Sequence, residues 1–243
     1  MLWILIATGF VTAFISGVFG MAGGLILMGI LLALFSVEQA MVLHGITQLT
    51  SNGWRALLGW RHIRWRVFRG YAAGAAVIVL AALAVQLSLS RTAVLLLLGV
   101  TPLLSYAVPT RFQLNVDRRG HSAACGAICM ALQMFSGVSG PMLDTFFVHS
   151  KMTRHEAVST KAAVQTFSHA ARVAFYGSLL LVEGMAVGEG ATVALVASAI
   201  AGTTASRLVL DRLSDKNFRS LTQRLVLVIG CVYIVFGVRA WLA

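Results

Sequence analysis

Ten runs of apolar residues, separated by short loops, leave this chain few ways to fold. They cover roughly residues 2–17, 24–36, 39–60, 70–88, 92–109, 122–136, 140–149, 155–177, 187–206 and 219–242. Of the 243 residues 58% are hydrophobic and 11% charged, where soluble domains carry about 25% charged residues. The solvent of such a chain is a lipid bilayer, where backbone N–H and C=O groups must be satisfied internally, as a helix does within one segment. The expected fold is all-α, a polytopic membrane helix bundle forming a single membrane domain. The apolar start, Met1-Leu2-Trp3-Ile4-Leu5, reads as a first membrane helix rather than a removable signal.

The formal charge of +11 does not point to nucleic acid. Thirteen of the 19 Lys and Arg residues fall in four short loops: Arg61 to Arg69, Arg111 to Arg119, Lys151 with Arg154, and Arg207 to Arg219. That placement is the orientation charge of cytoplasmic loops. The loops carrying Glu38, Arg91, or Glu183 and Glu189 are then outside, and both termini are expected outside.

Six segments meet or approach the ~20 residues that a crossing needs. The pairs 2–17/24–36 and 122–136/140–149 are each two short helices around a glycine break, read as re-entrant or broken hairpins. Residues 1–109 thus form an outside hairpin plus three crossings, and residues 121–243 an inside hairpin plus three crossings. A cytoplasmic linker, 110–120, joins them. This is an inverted-topology repeat. The residues agree: Ser16-Gly17-Val18-Phe19-Gly20 matches Ser136-Gly137-Val138-Ser139-Gly140, and Ala40, Gln48, Ser51 and Arg55 match Ala157, Gln165, Ser168 and Arg172.

Directly after each hairpin comes a polar stripe. His44, Gln48, Asn52 and Arg55 form one; Lys161, Gln165, His169 and Arg172 form the other. Spacings of 4, 4 and 3 put each set on one helix face. Ionisable groups in hydrocarbon cost at least ~2.5–3.5 kcal/mol each, and they commonly mark a solute path. The breaks add Gly20, Gly23, Gly24, Gly137 and Gly140, where helix N-termini would present N–H groups to an anion. Ser51 and Ser168 are further hydrogen-bond donors. Packing between helices is the other reading of the glycines, and snorkelling that of Arg55. Asp144 is the one acid deep in an apolar run: it either pairs with Lys161 or carries a coupled proton, as His44 and His169 could. A cation or metal-ion permease built on Asp144 and the intramembrane histidines is the alternative to an anion carrier. Cys125, Cys129 and Cys231 read as packing residues. With neither a phosphate-binding G-x-x-x-x-G-K-[ST] run nor an H-E-x-x-H, a transporter without cofactor or resident metal is expected rather than an enzyme.

Gly17-x-x-Gly20-x-x-Gly23-Gly24, followed by the Gln48–Arg55 stripe and Arg61-His62-Ile63-Arg64-Trp65, resembles the sulfite exporter TauE/SafE family. Ser136 to Pro141, then Thr160-Lys161-Ala162 and Gln165 to Tyr176-Gly177, resembles that family's second repeat. The resemblance implies a permease of the bacterial inner membrane for sulfite or organosulfur anions such as sulfoacetate, working by ion-coupled secondary transport with a proton or sodium ion. Ala22, Gly29, Pro141 and Asp144 depart from the family pattern.

Overall fold

The structure, a computed structural model, describes residues 2–19, 22–85, 89–107, 114–183, 188–210 and 215–242. Those residues form ten α-helices: α1 (Leu2–Phe19), α2 (Ala22–Leu34), α3 (Val37–Leu58), α4 (Trp65–Val85), α5 (Arg91–Ala107), α6 (His121–Ser136), α7 (Gly140–Phe147), α8 (Arg154–Glu183), α9 (Glu189–Leu210) and α10 (Asp215–Leu242). A single 3-10 turn, Trp60–His62, follows α3. The all-helical expectation holds among the described residues.

Local chemistry sets the ends. Ser36 caps α3 by accepting from the Gln39 N–H at 3.3 Å. Thr153 and Glu156 form a reciprocal capping box at the start of α8: the Thr153 N–H donates to Glu156 at 2.9 Å, and the Glu156 N–H to the Thr153 hydroxyl at 3.3 Å. Gly137 ends α6 at φ +78°, and Pro141 enters the first turn of α7. Two short helices thus flank this glycine break, α7 being only 8 residues long.

Two described stretches satisfy length and apolarity for a crossing on their own, Trp65–Val85 and Arg224–Leu242. Helices α3, α8 and α9 are long enough but carry polar residues along one side. The outer surface is apolar, with Trp3 79%, Leu80 67%, Leu208 72% and Trp241 74% exposed. Such faces belong against lipid.

Packing pairs the helices across the two halves of the chain. Helix α1 lies on α9, α4 on α6, α3 on α8, and α5 on α10. Close approaches at glycine give the directions. Gly59, Gly53 and Gly45 of α3 and the turn after it meet Ser159, Thr166 and Val173 of α8, so α3 and α8 run antiparallel. Gly99 and Gly237 face Ile234 and Leu96, so α5 and α10 are antiparallel too. Gly9 and Gly17 of α1 meet Ser198 and Ser206 of α9, a parallel pair. The core gathers residues from all of these helices, including Leu25, Met28, Met41, Tyr71, Cys129, Phe146 and Tyr233.

Candidate functional site

The α3–α8 seam carries both polar stripes. Toward the N-terminal end of α3 the structure gathers His44, His169 and Arg172 from the expected set. Arg172 is 0% exposed. One terminal nitrogen, Nη1, donates to the Gly137 carbonyl at the C-terminal end of α6. The other, Nη2, donates to His44 Nδ1 at 2.6 Å and approaches His169 Nδ1 at 3.4 Å. The Arg172 Nε is buried without a partner.

These bonds fix the histidine tautomers. A guanidinium only donates, so each Nδ1 must accept and the ring proton sits on Nε2. His44 Nε2 then donates to the Gly24 carbonyl at 2.9 Å. Both rings are uncharged in this arrangement, with centroids 5.7 Å apart. Gln133 Nε2 donates to His169 Nδ1 at 2.7 Å, and the Ser139 hydroxyl donates to Gln133 Oε1 at 3.0 Å. One network therefore links α2, α3, α6, α8 and the second break around a single buried cation.

Gln133 and Ser139 are site residues that the polar stripes do not reveal. Gln133 sits in an apolar stretch and Ser139 in a glycine-bearing one, with Ser136 the only polar residue between them. A buried glutamine in Met130-Ala131-Leu132-Gln133-Met134 was the one available signal.

Other expected residues lie apart. Gln48 and Asn52 bond to each other, Asn52 Nδ2 reaching Gln48 Oε1 at 3.3 Å, and Gln48 is buried beside Gly24, next to His44. Gln165 is half-buried between Lys161 and His169 along α8. Arg55 stands 11 residues beyond His44, about 16 Å along α3, and its buried Nη2 has no partner. Lys161 and Asp144 pair at 2.9 Å with side chains 30% and 42% exposed, which is the ion-pair reading of both. Ser51 and Ser168 hold helices together: Ser51 bonds Thr203 of α9 at 2.7 Å, and Ser168 bonds Tyr71 of α4 at 2.8 Å.

The glycines divide likewise. Gly17 is inside α1 rather than in a break, and a Cβ there would collide with Ser206. Gly23 and Gly24 belong to the first turns of α2; Gly23 packs on Thr12 and Ser16 of α1, while Gly24 faces Gln48 and His44. Gly140 starts α7 and is buried. Gly20 lies outside the described residues. At the second break it is the carbonyl end of α6, at Gly137, that meets Arg172, where the sequence pattern suggested a helix N-terminus. A helix C-terminus carries partial negative charge and so favours a cation.

The arrangement presents one desolvated cation with no carboxylate beside it. It has a free Nε–H and a surround of neutral hydrogen-bonding groups. Among the described residues no three His, Cys, Asp or Glu side chains converge as metal ligands. No curated protein and no solved structure matches the chain. The family comparison does match: the model described as "Sulfite exporter TauE/SafE" covers residues 5–233, so the chain belongs to the TauE/SafE sulfite exporter family and is a membrane transporter.

Proposed function

We propose that the protein carries a small sulfur-containing anion, sulfite or an organosulfonate, across the bacterial inner membrane, with both termini outside. The observation that carries this reading is Arg172. A buried charge without a counter-ion is strongly unfavourable, and here the facing acceptors are uncharged carbonyl, imidazole and thioether lone pairs. An anion supplies what is missing. The neutral histidines turned toward a cation also argue against the metal-ion or cation alternative, as does the engagement of Asp144 with Lys161.

An inverted repeat, 1–109 and 121–243 joined by 110–120, is supported by the packing. Exchanging α1–α5 for α6–α10 turns α1 on α9 into α6 on α4 and leaves α3 on α8 and α5 on α10 unchanged. Corresponding helices that touch, α3 with α8 and α5 with α10, are antiparallel. A two-fold axis relating them must then lie across the helices, in the membrane plane. Ser51–Thr203 and Tyr71–Ser168 become equivalent bonds under the same exchange.

The test is flux of labelled sulfite into proteoliposomes. Arg172→Gln is expected to lower it at least ~30-fold, since truncating a charged contact that binds substrate costs ~2–5 kcal/mol. Flux in Arg172→Gln equal to that of the unaltered protein would remove the proposed site.

A further inference from the structure

The charge count around Arg172 restricts which anions the site accepts, provided that the anion-carrier reading above holds. Arg172 is the single formal charge in the network. On α3, His44 is neutral by its bonding and Glu38 stands six residues, about 9 Å, outward along the helix. On α8, His169 is neutral, Tyr176 donates its hydroxyl to the Met134 carbonyl, and Lys161 is occupied by Asp144 of α7. From α6 come the uncharged Gln133 and the thiols Cys125 and Cys129, which face each other at 3.9 Å. From α4 comes Tyr71, bonded to Ser168. Helices α1 and α2 carry no titratable side chain. Helix α9, packed on α3, begins at Glu189, which is exposed.

We infer that the site selects singly charged oxyanions, hydrogensulfite or a monosulfonate, and rejects dianions: sulfate, fully ionised sulfite, and also sulfoacetate, whose sulfonate and carboxylate are both ionised. The unpartnered Nε and the loosely held Nη2···His169 contact offer one edge of the guanidinium fork to two oxygens. One negative charge there brings the buried network to neutrality. A second would be left uncompensated in the same dry surroundings, where unpaired charge is most costly.

The experiment is calorimetric binding of methanesulfonate, sulfate and sulfite to the purified full-length protein, repeated across the second ionisation of sulfite. Methanesulfonate carries one charge at every pH used, and its affinity is expected to stay constant. Sulfate is expected to bind at least about a hundredfold more weakly. Sulfite affinity should fall about tenfold per pH unit above its own second ionisation, as one proton is linked to binding. Gln133→Lys, which keeps an N–H donor toward His169 and adds a cation, should raise sulfate relative to methanesulfonate at least about tenfold. Should that variant not fold, the three-anion comparison on the unaltered protein decides by itself.

Sulfate binding as tightly as methanesulfonate overturns the inference. So does methanesulfonate affinity that changes with pH, because the proton would then belong to the histidines. Binding of none of the three, or undiminished binding by Arg172→Gln, removes the anion site itself, a failure separate from one of charge selection.

Discussion

At the scale of single residues, helical spacing in the sequence was enough to put His44, His169 and Arg172 on facing stripes, and they do meet. Spacing says which side of a helix a group occupies, not which neighbour it finds there. Ser51 and Ser168 illustrate the gap: both fit a solute path by position, yet both are spent on bonds to α9 and α4. Gln133 does not stand out because its polar companion at helical spacing, Ser136 at i+3, is followed at once by the glycine break rather than by a further turn of stripe. Gly137 joins both kinds of role, since its positive φ ends α6 and its carbonyl holds Arg172. Gly137→Ala is expected to destabilise by about 1–2 kcal/mol from the left-handed backbone alone. Crowding of Met28 and Arg172 adds to that. Thermal unfolding in detergent should show a lowered Tm together with reduced flux.

At the scale of helices, the number and order of segments were readable because apolar runs are long compared with their loops. Boundaries were less so. Gly17 and Gly177 resemble stops, yet α1 runs on to Phe19 and α8 to Glu183. Glycine weakens a helix without ending it when packing supplies the difference. The two positions then predict opposite outcomes. Gly17 is where α9 approaches, with Ser206 in the space a side chain would fill, so Gly17→Leu should cost about 1–3 kcal/mol or more through overpacking. Nothing lies within 4 Å of a Cβ at Gly177, so Gly177→Ala should stabilise by roughly 0.5–1 kcal/mol. A matched pair of melting curves checks both, and a loss at Gly177 would show that its surroundings are tighter than described.

At the scale of the whole molecule, an inverted repeat invites alternating access by motion of one half against the other. The packing makes that division awkward, because α1 is seated on α9 and α4 on α6, each pair drawn from both halves. Separating the halves would tear those contacts. Two mixed bundles suit the motion better, α1, α2, α3 and α9 against α4, α6, α7 and α8, with the α3–α8 seam between them. Topology of this kind is invisible in a linear chain, since it depends on which distant faces fit. If the seam slides during transport, a disulfide across it in a Gly53→Cys, Thr166→Cys variant should stop flux, and reduction should restore it. In the present structure a Cβ on Gly53 would be 3.7 Å from Thr166 Cγ2, within bridging range after slight adjustment. Undiminished flux in the oxidised protein would place the moving boundary elsewhere.

The bond from Arg172 to the Gly137 carbonyl has one more result. It joins α8 to the carbonyl end of α6, so the two helices are clamped together on one flank of the α3–α8 seam. A shift of either helix alone would strip the guanidinium of that acceptor, and the pair must therefore travel as one piece.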